Sequence, residues 1–316
     1  MDPLIDRSFN IDSVRQAETK IAVVIASTER PDMLSKSLAL ILNQSRMPDE
    51  IIVSVVSDAD FPGPPFPNRV RRVISAPGLC AQRNAGIDAV TSRPLFVAFL
   101  DDDVLIHEHF LRNMESIFRS RPDAILVMGH LLANGNISFD EAKALILSPP
   151  DCGSDTGQYY PVEAPYGRVY GANMCIRFSL LEHERFDERL ALYSAMEDVD
   201  IGTRARRYGE VGYYFGSLAV HLRTPGGRIS HRALGFSEVM NPMYLGCKGT
   251  IPKRHAILKF ALRMPLRNAI LACVTGQRHE RWHRLIGNLH AIRDIMRRRI
   301  EPERVIDLQN FDHHEK

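Results

Sequence analysis

Several features that would assign this chain of 316 residues to a specialised class are missing. No stretch reaches 18 uncharged apolar residues, and the longest candidate, residues 255–274, contains three cations, so no membrane-spanning helix is expected. The five cysteines are scattered without a C-x-x-C pair, which gives no support to a zinc site or a disulfide framework and favours a reducing cytoplasm. The N-terminus lacks a basic stretch followed by an apolar run, so no signal peptide is expected.

An excess of charge of one sign is also missing from the chain as a whole. The formal net charge is +2, which does not indicate a nucleic-acid partner. The charge is unevenly distributed, however, because residues 252–299 hold 12 Lys and Arg against 2 Asp and Glu, a local charge of +10. This region predicts two basic amphipathic helices at about 254–275 and 279–299. Three interpretations stay open: peripheral contact with anionic lipid at the inner face of a membrane, a homo-oligomer interface or lid, and a solvated helical pair.

Short apolar runs alternate with helical patterns along the first 130 residues. Buried strands are predicted at 21–26, 51–56, 70–75, 95–100 and 124–129, with helices between them. The alternation predicts an α/β fold with a mostly parallel sheet flanked by helices. Further along, the pattern predicts a long loop at 134–168, a strand at 169–176, a helix at 197–208 and one or two short strands at 211–221. We expect a leader (1–19), an α/β domain (20–228) and a basic helical extension (229–316).

One predicted strand ends in three consecutive carboxylates, Asp101, Asp102 and Asp103. Such a cluster is electrostatically costly unless a cation lies among it. Magnesium and manganese prefer oxygen ligands, which they often share with phosphate groups. Open α/β folds bind ligands beyond the carboxyl ends of their strands. The sequence therefore predicts a metal diphosphate site here, and a solvated turn with an Asp cap is the alternative.

Six short motifs resemble, in the same order, those of family 2 inverting glycosyltransferases, which have the GT-A fold. The motifs are IAVVIASTER (21–30), LALILNQ to PDEIIV (38–53), AQRNAG (81–86), FLDDD (99–103), GANM (171–174), and FDERL (186–190) followed by Glu197-Asp198. The resemblance implies that the protein moves a sugar from a uridine or thymidine diphosphate donor to an acceptor hydroxyl, with inversion. It also implies a glycan or lipid-linked glycan acceptor, in polysaccharide or glycoconjugate assembly.

The resemblance further implies a role for individual residues. A divalent metal, Mn or Mg, would be held by Asp103 and His221 and would neutralise charge on the leaving diphosphate. For His221, which ends a predicted strand, a purely structural role is the alternative. The nucleotide-binding residues that the resemblance implies are Ala26, Ser27, Thr28, Arg30, Asp58, Arg83, Asp101 and Asp102.

Glu197 and Asp198 begin a predicted helix and are the candidate catalytic residues. Asp198 is the candidate general base for the acceptor hydroxyl, and Glu197 opposes its ionised form by like-charge repulsion. Ordinary helix N-terminal charge is the alternative. Asp200, in the same acidic turn, is expected to face solvent. Arg223 and Arg228 flank a Gly-Gly pair, which predicts either a loop that clamps phosphate or a solvated turn.

Two other functions compete with the glycosyltransferase interpretation. A sugar-phosphate nucleotidyltransferase ordinarily has a loop rich in glycine and cations after its first strand, and residues 27–31 lack one. A non-catalytic scaffold that binds a nucleotide or sugar has no need of both the triple Asp and Glu197-Asp198. The residue patterns therefore favour the glycosyltransferase over both alternatives.

Overall fold

The computed structural model describes residues 19–63, 66–150, 157–162, 169–226, 229–274, 276 and 278–314. The chain divides into two compact units. Unit 1 comprises Met1–Pro77, Gln82–Arg185 and Ile201–Gly227, and unit 2 comprises Gly78–Ala81, Phe186–Asp200 and Arg228–Lys316. Nearly all of the expected leader and the candidate clamp residue Arg228 lie outside the described residues.

Unit 1 is built on a mixed sheet, and nine strands belong to it in the described part of the chain. The strands are β1 (Ile21–Ser27), β2 (Glu50–Val55), β3 (Val70–Ile74), β4 (Phe96–Asp101), β5 (Val104–Ile106), β6 (Ala124–Asn134), β7 (Tyr159–Pro161), β8 (Asn173–Arg177) and β9 (Glu210–His221). Their order is β3-β2-β1-β4-β8-β6-β9-β5, with β7 paired to β9. All five strands predicted before residue 130 are present, and the expected α/β fold is confirmed.

The sheet positions the candidate site through its parallel part. Strands β3, β2, β1 and β4 run parallel, and Ala26 of β1 lies in register with Asp101 of β4. Because parallel strands end at the same edge, the loop after β1 and the acidic loop after β4 emerge side by side. Strand β8 is antiparallel to both β4 and β6, and it brings Asn173 opposite Leu100.

Helices lie between the strands of unit 1 and are also found in unit 2. They are α1 (Pro31–Ile41), α2 (Leu79–Asp88), α3 (Phe110–Ser120), α4 (Phe139–Leu147), α5 (Phe178–Leu181), α6 (Glu197–Ala205), α7 (His231–Lys248), α8 (Lys253–His255), α9 (Arg263–Val274), α10 (Arg278–Met296) and α11 (Val305–His314). A π-helical turn, Ala256–Leu262, joins α8 to α9. In the described part of the chain, no helix is both long and apolar enough to cross a membrane.

Packing against the sheet explains a glycine in one of the motifs. Gly86 of α2 faces β1, and a Cβ atom there would lie 2.4 Å from Cγ1 of Val24. Glycine therefore lets α2 approach the strand that leads into the candidate site.

Helices α4, α5, α7 and α11 were not predicted, and neither were the short strands β5 and β7. Helix α4 lies inside the expected loop 134–168, and its start carries a capping box in which Ser138 and Glu141 bond each other's backbone N–H groups. Helix α7 contains Pro242 and is buried on most of its surface, so its apolar residues show no clear helical period. The remaining patterns gave correct elements with boundaries shifted by a few residues, and 211–221 is one strand, β9.

Unit 2 has a helical core in which α7 and α10 cross closely. A Cβ atom on Gly235 would lie 2.1 Å from the carbonyl oxygen of Arg284, and one on Gly287 would lie 2.0 Å from that of Arg232. Glycine at both positions lets the two backbones touch. Asn288 of α10 adds a buried hydrogen bond, 2.6 Å, from its Nδ2 to the carbonyl oxygen of Gly235.

Candidate functional site

The three carboxylates at the end of β4 have different surroundings. Asp101 is partly exposed, whereas Asp102 and Asp103 are buried. Burial of a carboxylate is costly unless it is paired. The contacts of each side chain therefore indicate what it does in this loop.

Asp102 joins the acidic loop to the loop after β1. Its Oδ2 accepts a 2.6 Å hydrogen bond from Oγ of Ser27, and its Oδ1 lies 2.6 Å from Nη2 of Arg30. Burial raises the pKa of Asp102 to about 7, although Arg30 and Ser27 act in the opposite direction. This fully buried carboxyl therefore positions Ser27 and Arg30.

Asp103 is held in place by three groups from distant parts of the chain. One oxygen lies 3.1 Å from Nε2 of His221, and the other accepts a 2.7 Å hydrogen bond from the backbone N–H of Thr224 and lies 3.2 Å from Nη1 of Arg30. Burial alone would raise the pKa of Asp103, but His221, Arg30 and Thr224 outweigh it and lower the pKa below its usual value. Asp103 is therefore a preorganised carboxylate.

His221 is oriented from behind by hydrogen bonds to its Nδ1. Oη of Tyr170 lies 2.7 Å from Nδ1, and Oδ1 of Asn134 lies 3.1 Å from it. Nε2 consequently points towards Asp103, at 3.1 Å, and Asp101, at 3.9 Å. When a cation displaces the Nε2 proton, a proton kept on Nδ1 and donated to these oxygens would leave the Nε2 lone pair to the cation.

Asp101, Asp103 and His221 together form a candidate metal centre. One ligand atom from each lies within 4.8 Å of the others. Two carboxylates and an imidazole suit manganese, and the carboxylates also suit magnesium. Since Nδ1 of His221 already has partners, the donor set fits a divalent cation.

Arg83 lies beside this centre and is almost fully buried. Its Nη2 is 3.1 Å from Oδ1 of Asp101 and donates a 2.9 Å hydrogen bond to the carbonyl oxygen of Gly171. The guanidinium therefore orients Asp101 and ties α2 to the glycine motif before β8.

The predicted nucleotide-binding loop follows β1. Ser27 is buried, while Ala26, Thr28 and Arg30 are partly exposed. Besides the two carboxylates, Nη1 of Arg30 contacts the carbonyl oxygen of Thr224 at 3.2 Å. Ala26 and Ser27 thus end β1, Thr28 and Arg30 lie in the loop that follows, and Arg30 links this segment to the acidic loop.

Asp58 lies apart from these contacts. Its carboxylate is 71% exposed and pairs with Arg72 at 2.5 Å. The buried acid of this segment is Asp60, which accepts a 2.7 Å hydrogen bond from the N–H of Glu29, a residue at φ 59° in the loop after β1. Sequence reasoning missed Asp60, although the Ser57–Asp60 capping box is a local signal for it.

Glu197 and Asp198 lie in unit 2, at the first turn of α6. Three non-glycine residues of the preceding loop have left-handed backbones: Leu192 (φ 57°), Ser194 (φ 53°) and Met196 (φ 72°). Such conformations are costly and persist where surrounding contacts enforce them, commonly at functional sites. The start of α6 is therefore held in a specific and strained arrangement.

Hydrogen bonds within unit 2 enforce this loop. Buried Ser194 donates a 2.5 Å hydrogen bond to the carbonyl oxygen of Leu190 and accepts one from the N–H of Cys80 at 3.3 Å. Nδ2 of Asn241 donates to the carbonyl oxygen of Ala195 at 3.0 Å.

The expectation that Asp200 faces solvent is wrong. Its side chain is buried, and its oxygens contact Nζ of Lys248 at 2.9 Å and Oγ1 of Thr250 at 2.8 Å. Lys248 also contacts Asp187 at 2.6 Å. Lys248 ends α7 and Thr250 follows it, and since the sequence pattern did not predict α7, nothing local indicated that Asp200 is paired.

Arg223 belongs to the network behind His221. It has φ 57°, and its Nε donates a 2.8 Å hydrogen bond to Oδ1 of Asn134. Since Asn134 also contacts His221, Arg223 supports the orientation of the imidazole ring. A phosphate-clamping role for Arg223 stays a prediction.

The chain is similar to a known protein family in sequence and to known crystal structures in fold. A family model described as glycosyltransferase like family 2 matches residues 18–226. The crystal structure of S. aureus TarS 1–349 in complex with UDP-GlcNAc is similar with a TM-score of 0.55 and 14% identity, over 91% of this chain and 83% of that one. TarS 1–349 alone gives 0.53 and 15%, over 91% and 82%. A longer TarS structure gives 0.50 and 14%, over 87% of this chain and 49% of that one. No curated protein matches the sequence.

Proposed function

The chain belongs to the glycosyltransferase-like family 2, and from this premise we propose that it transfers a sugar with inversion, assisted by a divalent metal. Membership of the family establishes the general activity: the protein is a glycosyltransferase that uses a nucleotide-sugar donor. The proposal adds the stereochemistry, the metal and the residues that act. The observation that carries it is the cluster of Asp101, Asp103 and His221 at the edge of the sheet.

Asp101, Asp103 and His221 would hold the metal, which when bound supplies positive charge to the leaving diphosphate. Their geometry supports this role because Thr224 and Arg30 fix Asp103, and Tyr170 fixes His221. A site held in place before ligand binding loses less free energy to ordering when the ligand arrives.

The donor nucleotide would bind at the neighbouring loops. We assign contacts with it to Ala26, Ser27, Thr28, Arg30, Arg83 and Asp101, and we assign Asp102 the positioning of Ser27 and Arg30. Asp58 stays the proposed contact for the base, and its exposed carboxylate supports access. The UDP-GlcNAc complex known for TarS makes a uridine diphosphate sugar the first donor to test, with thymidine diphosphate sugars second.

Asp198 is the proposed general base. Its carboxylate would take the proton from the acceptor hydroxyl while that oxygen bonds to the anomeric carbon from the face opposite the diphosphate. The bond from the anomeric carbon to the phosphate oxygen breaks, and the diphosphate leaves with the electron pair. Inversion follows from this single displacement. The strained loop before α6 supports the assignment.

The acceptor is proposed to be a glycan or a lipid-linked glycan. This part rests on the family resemblance.

A thermal-shift titration tests the donor and metal parts together. UDP, dTDP and UDP-GlcNAc are added to the full chain with and without manganese, and a ligand of the native state raises the melting temperature. We expect a manganese-dependent shift for one base, lost in Asp103→Ala and retained in Asp88→Ala, whose carboxylate is exposed and pairs with Arg185. No shift with any nucleotide in the folded protein, or an equal shift in Asp103→Ala, would contradict the proposed metal site.

A further inference from the structure

Residues 253–274 form one continuous helical segment, in which the π-helical turn joins α8 to α9. One face of this segment is anchored in the helical core of unit 2. Ala256, Pro265 and Asn268 are buried there. Nδ2 of Asn268 donates a 2.8 Å hydrogen bond to Oδ1 of the buried Asn288 of α10. The other residues of the segment are consequently presented to the outside in a fixed orientation.

The outer face carries an apolar row in which every fourth residue is large and exposed. Its members are Leu258 (56% exposed), Leu262 (60%), Leu266 (61%), Ile270 (53%) and Val274 (72%). Residues four apart are neighbours on a helix surface, so the row is continuous along the segment and winds gradually around its axis. A single exposed leucine is ordinary in a protein surface, but a contiguous apolar row indicates an interaction site.

A cationic row runs beside the apolar row. Lys259, Arg263 and Arg267 each follow a member of the apolar row directly, and all three are exposed. None of them forms an ion pair with another described residue. Residues 253–274 contain no Asp or Glu, and Lys253 and Arg254 add two exposed cations at the start of the segment. The face is therefore apolar and purely cationic.

This combination decides between the candidate occupants. A second copy docked on the same face would bring its own cations against these, with no carboxylate to pair them. An anionic phospholipid surface complements both rows, because the apolar side chains enter the acyl boundary while the cations meet the headgroups.

We propose that segment 253–274 is a membrane-surface helix that binds the protein to anionic phospholipid through the apolar row and the cationic row. The helix lies in the plane of the interface and does not span the bilayer. This inference stands on the segment alone and does not depend on the proposed sugar transfer.

Vesicle flotation tests the proposal with the full chain. We expect the protein to float with vesicles of equal parts phosphatidylglycerol and phosphatidylcholine, and to remain unbound with phosphatidylcholine alone. Added sodium chloride should weaken binding, since it screens the headgroup attraction. Absence of flotation with the anionic vesicles at low salt overturns the proposal.

Variants assign the binding to the segment. Leu262→Glu/Leu266→Glu should weaken binding to anionic vesicles by more than about tenfold. Arg263→Gln/Arg267→Gln keeps the apolar row and should weaken it by about fivefold for each cation removed. Leu147→Glu is the matched control, because Leu147 is a leucine with 62% exposure at the end of α4. Equal binding of the wild type and the Leu262→Glu/Leu266→Glu variant overturns the proposal.

Two measurements separate the remaining outcomes. All substituted side chains are exposed, so each variant should retain the wild-type melting temperature, which confirms that lost flotation is not lost folding. Light scattering reports the mass of the free protein. A dimer that dissociates in Leu262→Glu/Leu266→Glu, combined with no flotation, would assign the face to a second copy and reject the lipid.

Discussion

Arg30 and Asp102 form an ion pair of 2.6 Å in which the carboxylate is wholly buried. The pair connects the loop after β1 to the acidic loop after β4, and Arg30 extends the link to Asp103. The two loops that are proposed to hold the nucleotide and the metal are therefore one electrostatic unit.

Replacing Arg30 by methionine should destabilise unit 1 in a pH-dependent way. The pKa of Asp102 is about 7 in the folded protein against an ordinary 3.8, so this group favours folding below about pH 4, and its contribution is lost as the pH rises through 7. Without Arg30, ionised Asp102 has lost its cation. We expect Arg30→Met to lower the free energy of unfolding by about 3–5 kcal/mol at about pH 8, and by much less at about pH 5.

Urea unfolding with a metal chelator present measures this effect. Arg72→Met is the matched control, because Arg72 pairs with the exposed Asp58 and should cost less than about 1 kcal/mol at either pH. A cost of Arg30→Met that is equal at both pH values would show that Asp102 is not the group responsible.

Two acids in the first turn of α6 should respond in opposite ways to substitution. Asp198→Asn should keep the melting temperature and donor binding but lower turnover at least about a hundredfold, because a general base is lost. Asp200→Asn should lower the free energy of unfolding by about 2–3 kcal/mol, because the buried partner of Lys248 loses its charge. Turnover per folded molecule should survive in Asp200→Asn. If Asp198→Asn retained wild-type turnover, Asp198 would not be the general base.

Glu50 should stabilise unit 1 at neutral pH and lose this effect in acid. Burial acts to raise its pKa, but hydrogen bonds from Ser92 and Thr91 hold the pKa at about 2. Because the folded pKa lies below the usual 4.5, the stabilisation is present above about pH 4.5 and disappears as the pH falls towards 2. Glu50→Gln should cost up to about 3 kcal/mol at neutral pH. Chemical denaturation of both proteins across this range checks it, and a difference that persists at pH 2 would contradict the assignment.

Gly86→Ala should disturb the packing of α2 on β1. The new Cβ atom would lie 2.4 Å from Val24, so backbone or side chain must shift, at a cost of about 1–3 kcal/mol. Gly63→Ala is the control, since no atom lies within 4 Å of a Cβ there. Thermal unfolding measures the stability of the two variants. If both are equally stable, α2 and β1 can move apart without cost.

Local sequence patterns were sufficient to predict most of the strands and many residues of the candidate site. The parallel strands were predictable because fully buried strands read as unbroken apolar runs, as Ile21–Ser27 does. The order of the motifs identified the family, and the family model confirms it. Helix α7 escaped because Pro242 and burial on most sides erase the period that marks a surface helix.

The sequence by itself determined the buried strands before residue 130, the acidic loop and the family, because these follow from neighbouring residues and short motifs. Only the tertiary structure decided which carboxylate does what. Ser27 reaches Asp102 across 75 positions, and Thr224 reaches Asp103 across 121. Burial and charge pairing arise from such long-range contacts. Three adjacent aspartates that look alike in the sequence therefore become a partly exposed candidate ligand, a buried anchor for the loop after β1, and a preorganised partner of His221.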